Sequence, residues 1–294
     1  MMFLGKDPSL VFGVSRRLLL SFALIIPLSG FTSVENLFAP SADLWPRWER
    51  HDPNSTAKID FSDWDGLLKR FVQVSSDGVN RVDYAAFRSG GKGALAKVIA
   101  DLTALPISRY TRDEQLAYWI NLYNAVTVQV ILAHYPVESI RDIDISPGLF
   151  SDGPWDKELV SVEGEALSLN DIEHRILRPI WNDPRLHYAV NCASIGCPNL
   201  ARDAYDGAEV GNRLDSAAKD YINDPRGVSV AGSKVTVSKI YDWFQEDFGG
   251  STHSVLAHLK RYAAPALAER LDAIGDIEDT RYDWSLNDGT SPQG

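Results

Sequence analysis

The hydrophobic pattern divides the chain into a few strongly marked segments. Ser62 precedes a stretch in which Trp64, Leu67, Leu68 and Phe71 recur at helical spacing, and Leu95, Val98, Ile99 and Leu102 repeat the pattern further on. Val79 to Tyr84 alternates like a short strand. Leu116 to Leu132 is apolar almost all round behind the capping-box sequence Thr111-Arg112-Asp113-Glu114, which predicts a long helix buried on most sides. Ser168, with Asp171 three residues on, starts a second amphipathic helix over 169–181. Leu159 to Val162 and the region 227–237 around Gly232 read as hairpins. Val210 to Tyr221 and Ser254 to Leu271 read as helices, the latter perturbed at Pro265. Tyr241, Trp243, Phe244 and Phe248 read as core aromatics.

The central stretch is Arg185 to Pro198. Leu186, Tyr188 and Val190 alternate with Arg185, His187, Ala189 and Asn191, as a strand would. Cys192 and Cys197 follow. On this reading a cation, an imidazole and an amide share one face beside both cysteines of the protein. Asn121 and Asn124 fall on one stripe of the buried helix, and buried amides need specific partners. Glu173 and His174 lie at the edge of the next helix's apolar stripe.

The predicted fold class is α+β: one mixed domain, helices on a small, mostly antiparallel sheet, with a papain- or transglutaminase-like arrangement as one form open to it. The chain has 294 residues, 45% hydrophobic, enough for one large core. Its formal charge of −11 argues against a nucleic-acid partner. Residues 1–42 read as an export signal and spacer, with Arg16 and Arg17 before an apolar run from Leu18 to Leu28. The arginine pair resembles a twin-arginine signal but departs from it at Leu19 and Ser21, so both export routes stay open. The expectation is a periplasmic or secreted protein that touches membrane only through this segment, if it is left uncleaved. Residues 43–59 read as a linker, 60–288 as the globular domain and 289–294 as a disordered tail.

Three segments together resemble one family. They are Ala117 to Ala125, Leu167 to His174, and Asp183 to Ser194 with Cys197-Pro198; the closing Tyr282-Asp283-Trp284-Ser285-Leu286-Asn287 also fits. These resemble the domain-of-unknown-function 547 family (DUF547). The resemblance implies a single domain and joins Asn121, Asn124, Glu173, Arg185, His187, Cys192 and Cys197 in one motif set. It implies no chemistry.

Two functions stay open on the residues. In the first, Cys192 is the nucleophile of a thiol-dependent acyl transfer or hydrolysis on amide or ester bonds. His187 is then its base, Glu173 the orienter, Asn121 or Asn124 an oxyanion donor, and Arg185, Asn191, Ser194 and His174 contact the ligand. In the second, a Cys192–Cys197 disulfide pins a loop of a non-catalytic binding or assembly module. So small a ring contributes about 2 kcal/mol. The spacing of His187, Cys192 and Cys197 matches no zinc pattern, so no metal or other cofactor is expected. The expected partner is a small molecule, a peptide or a cell-envelope ligand.

Overall fold

The computed structural model describes residues 40–147 and 153–289. Of the stretch expected as an export signal and spacer, residues 1–39 lie outside the described residues, as does the tail from residue 290. The architecture is α+β. In chain order the helices are α1 (Ser62–Phe71), α2 (Tyr84–Gly90), α3 (Lys92–Thr103), α4 (Arg112–His134), α5 (Arg178–Trp181), α6 (Val210–Ile222), α7 (Ile240–Trp243), α8 (Thr252–Tyr262) and α9 (Pro265–Asp272). The strands are β1 (Val72–Val74), β2 (Asn80–Val82), β3 (Val160–Val162), β4 (Glu165–Leu167), β5 (Val228–Ala231), β6 (Lys234–Ser238) and β7 (Asp279–Arg281).

The expected single sheet is instead three small ones among the described residues. Antiparallel pairs β1–β2 and β3–β4 stand alone, and β5–β6 is joined by β7, which runs parallel to β6. Each hairpin is closed by its own turn. The β3–β4 turn uses Glu163 and Gly164, both at positive φ, as the tightest hairpin loops require. Pro265 breaks the last predicted helix in two, starting α9 at its first position where the missing N–H costs nothing.

Helix α4 is the centre of the larger core. From Leu116 to Val128 every residue is buried, and Trp119 packs edge-on against Trp48. It is long and apolar enough to cross a membrane, but 89% of that apolar window is buried inside the fold. Its cap forms only half as the capping box predicts. Thr111 Oγ1 accepts the Glu114 N–H at 3.5 Å, while the Glu114 carboxylate turns to Lys58 Nζ (2.8 Å) and the Ile59 N–H (3.1 Å). The stretch expected as a linker is thereby packed on the domain. Residues 46–49 form a 3₁₀ turn, Trp48 is buried, and Gln115 donates to the Arg50 carbonyl.

A second core gathers around α6, α8 and the β5–β6 hairpin, with Tyr221, Val235, Val237, Tyr241 and Phe248 inside it. The buried Tyr241 and Phe248 bear out the core reading of that aromatic run, whereas Trp243 and Phe244 are only half-buried. The segment 184–198 runs between the two cores, and two amides of α4 hold its surroundings. Asn124 Nδ2 donates to the Ala189 carbonyl (2.9 Å) and its Oδ1 accepts the Asn191 N–H (2.8 Å). One α-helical turn away, Asn121 Nδ2 donates to the Tyr205 carbonyl (2.7 Å) while its Oδ1 accepts the Tyr205 N–H (3.0 Å). Both asparagines thus serve buried backbone.

Asn124→Ala removes both bonds at 189 and 191 and leaves a carbonyl and an N–H buried without partners. Each such group costs about 1–3 kcal/mol. The variant is expected to lose about 2–4 kcal/mol of unfolding free energy in a urea titration.

Candidate functional site

The segment read as a strand over 185–191 is a 3₁₀ helix, Pro184–Tyr188. Asp183 caps it, its Oδ1 accepting the Arg185 N–H at 2.9 Å, and Pro184 fixes the first φ. The expected face of Arg185, His187 and Asn191 therefore does not form. Arg185 is tied to Asp183 and to Asp215 (2.8 Å), and these ion pairs hold its guanidinium charged. The carboxylates that pair with Arg185 are thus Asp183 and Asp215 and not the expected Glu173.

Past this helix the chain makes a tight loop over 191–198. Asn191 closes it from within: its Oδ1 accepts the Ala193 N–H (2.9 Å) and its Nδ2 donates to the Pro198 carbonyl (2.7 Å). Ala193 takes a left-handed φ of 62°, a conformation that costs a residue with a Cβ. The segment 283–287 fastens the loop from outside, through the Asn287 N–H to the Ala193 carbonyl (3.0 Å), the Ile195 N–H to the Ser285 carbonyl (2.8 Å) and the Gly196 N–H to the Asp283 carbonyl (2.8 Å). A Cβ at Gly196 would stand 2.6 Å from the Asp283 nitrogen, so only glycine fits there. Arg226 and the Tyr221 hydroxyl bind the remaining carbonyls of residues 195–197.

This loop brings Cys192, Ser194 and Cys197 together. Both cysteines are free thiols, with their sulfurs 3.1 Å apart. Cys192 Sγ also lies 3.2 Å from Ser194 Oγ and 3.0 Å from the Tyr282 hydroxyl, and those two oxygens are 2.9 Å from each other. Cys192 is half-buried and Cys197 is buried. Donation from Cys197, then from the Ser194 and Tyr282 hydroxyls and the Ser194 backbone, lowers the Cys192 thiol below its ordinary value against the effect of burial. Burial, with Cys192 alongside, pushes Cys197 well up. Tyr282 continues into an aromatic wall. Its ring lies 4.9 Å from Trp243 and 4.7 Å from Trp284, and Trp284 meets Trp155 at 5.9 Å. All four rings are half-buried.

His187 is elsewhere. Its Nε2 is 2.6 Å from Asp247 Oδ2, its ring stacks on Phe244 at 4.4 Å, and its Nδ1 is 3.9 Å from Glu173. Arg178 pairs with the same Asp247 (Nε, 2.6 Å) and hydrogen-bonds His174 Nδ1 (3.0 Å). Glu173 does lie beside His187, as expected, but the closer carboxylate is Asp247. No hydrogen bond joins His187 to Cys192, so the imidazole is not placed as base to that thiol. Burial alone would raise the Asp247 carboxyl, and the bonds from His187 and Arg178 reverse this and hold it below the usual carboxylate range. Glu173 and His174 sit on a π-helical stretch, Asp171–Leu177, whose wider turn feeds into α5. Tyr123 of α4 lies between the two neighbourhoods. Burial first, then Glu173, Cys192 and Cys197, push its phenol well above the ordinary value.

Asn121 and Asn124, proposed as oxyanion donors, are spent on backbone instead. Among the described residues no group of three His, Cys, Asp or Glu could hold a metal ion. Tyr282, against Cys192, and Asp247, against His187, are the partners the motif pattern did not single out. Tyr282 opens the closing Tyr-Asp-Trp-Ser-Leu-Asn segment, which already stood among the family-like stretches.

Comparison with known proteins gives one result. Residues 107–222 match the family model DUF547, a protein of unknown function. The resemblance to DUF547 thus holds over α4, the π-helical stretch, the cysteine loop and α6. No curated protein and no solved structure matches.

A buried imidazole, His174, and a half-buried one, His258, contribute to the pH response of the fold. Burial, with Arg178 alongside and against the opposing Glu173 carboxylate, lowers His174 to about 4, and burial, then Arg261, lowers His258 to about 4. The unfolded chain therefore binds protons that the folded chain refuses as pH falls from about 6.5 toward 4. Stability is full above that window and declines through it, by up to about 1.4 kcal/mol per pH unit for each histidine. Urea unfolding across this range is expected to show the loss, and His174→Gln to remove one proton's share of the slope.

Proposed function

We propose that this is a thiol-dependent group-transfer enzyme, with Cys192 as the nucleophile of acyl transfer or hydrolysis on an amide or ester. The observation that carries the reading is the Cys192 sulfur itself, half-buried at the surface end of a pinned loop and met by Cys197, Ser194 and Tyr282 within 3.2 Å. Such donors favour the thiolate, the form that attacks, so no imidazole is required to remove the proton. Tyr282, whose phenol burial and the neighbouring Cys192 push well up, keeps its proton and serves as donor to the leaving group. The wall of Trp155, Trp243, Tyr282 and Trp284 suits an apolar or aromatic acyl chain. In the same proposal the protein acts outside the cytoplasm on a peptide or cell-envelope ligand, supported by the apolar run behind Arg16 and Arg17.

A second reading draws on the closeness of the two sulfurs: a binding module whose loop is fixed by these cysteines, with the aromatic wall as its binding surface. An activated aryl ester separates the two. The enzyme reading expects burst release of the phenol and one acyl group on Cys192 by intact mass, both abolished in Cys192→Ser. No adduct on the reduced protein would favour the binding module. Tyr282→Phe removes one donor, and iodoacetamide labelling of Cys192 at neutral pH is expected to slow about three- to tenfold, the worth of one hydrogen bond.

A further inference from the structure

Cys192 and Cys197 differ in a way that a purely structural pair does not require. Cys192 is half-buried with its sulfur 3.0 Å from the Tyr282 hydroxyl, while Cys197 is only 4% exposed. The Cys192 N–H donates to Cys197 Sγ at 3.0 Å, which orients the inner sulfur toward the outer residue. The sulfurs are 3.1 Å apart, and a disulfide needs about 2.0 Å. The left-handed Ala193 doubles the chain back between them. The four residues between the cysteines are held by backbone bonds from 283–287, Tyr221 and Arg226. A part-exposed cysteine with an inner thiol already against its sulfur is the arrangement an exchange reaction needs.

We propose that Cys192 and Cys197 are a redox-active dithiol that exchanges with small-molecule disulfides, Cys192 entering and Cys197 resolving. The proposal rests on the reading of Cys192 as an accessible thiolate. In the first step that thiolate attacks one sulfur of the substrate R–S–S–R. A Cys192–S–S–R bond forms, the substrate bond breaks, and RS⁻ leaves and is protonated to RSH. In the second step Cys197 gives up its proton and attacks the Cys192 sulfur. The Cys192–Cys197 bond forms, and the second RS⁻ departs with that proton as RSH. The first RS⁻ takes from solvent the proton that Cys192 released on ionising, so that counted from the dithiol the protein loses two electrons and two protons and the substrate gains both. Tyr282 and Ser194, hydrogen-bonded to Cys192, stabilise the thiolate when the pair is reduced again. Oxidation ties up the attacking sulfur, so the same exchange turns the acyl-transfer site off.

The test equilibrates full-length protein with mixtures of reduced and oxidised glutathione, quenches with acid and reads intact mass. The expected result is a reversible species two hydrogens lighter whose fraction follows the glutathione ratio, with no glutathione retained. Cys197→Ser should stop with one glutathione on Cys192, and Cys192→Ser should carry none. Iodoacetamide labelling of the reduced wild type runs in parallel and needs no variant. Labelling at Cys192 without the lighter species, or with glutathione retained in the wild type, overturns the dithiol and leaves the thiolate reading standing. A lighter species that reduced glutathione never reverses also overturns it, marking a structural bond. Absence of labelling overturns both readings.

Discussion

The arrangement depends on one interaction, the two-point hold of Asn124 on residues 189 and 191. A helix as apolar as α4 offers few places where a polar loop can be attached. Its own backbone groups are used internally, and its other side chains offer mainly contact. A primary amide supplies a donor and an acceptor in one plane, which matches the carbonyl and N–H two residues apart on a bending chain. Because the partners are buried, breaking the hold strands them, so the loop has little freedom to leave. Asn121 repeats the device on Tyr205 and fixes the chain leaving the cysteine loop. Between these points the chain can afford a left-handed alanine and a glycine with no room for a side chain.

The polar groups of this protein form two neighbourhoods with different physics. Around His187 the polar groups are tied to one another: Arg178 and His187 share Asp247, and Phe244 closes one face. A group bound that way is well satisfied and poorly placed to exchange protons with a solute, which suits a structural tie between the two cores. Around Cys192 the partners are neutral, two hydroxyls and a thiol, and the residue is only half-buried. Neutral donors favour an anion there without supplying a compensating cation. The proposed chemistry therefore falls to the loop, and the imidazole expected to serve it is bound into the scaffold.

Much of the fold was legible because the strongest patterns were local. The buried helix, the Ser168 cap and the hairpin at Gly232 each follow from spacing and a single cap or turn residue, and the Ser168–Asp171 box forms as read. The cysteine loop was also visible as the place where polar residues concentrate. The strand at 185–191 failed because alternation over so few residues carries less weight than Asp183 and Pro184, which together start a 3₁₀ turn. The separate sheets were hidden because short alternating runs do not say with whom they pair. Tyr282 and Asp247 lie 90 and 60 residues from their partners Cys192 and His187, and nothing in local spacing reports such contacts. The reassignment of Asn121 and Asn124 to backbone has the same origin, since their partners are backbone groups of distant loops.

The central claim is that the loop holds two unequal thiols, one poised as an anion and the other kept neutral. The most direct measurement is the ultraviolet absorbance of the thiolate followed against pH in the reduced protein, with Cys192→Ser as the reference. The account predicts two separate steps, one below the range of a free thiol that disappears in Cys192→Ser, and one well above it that remains. A single step of both thiols at the ordinary value would contradict it.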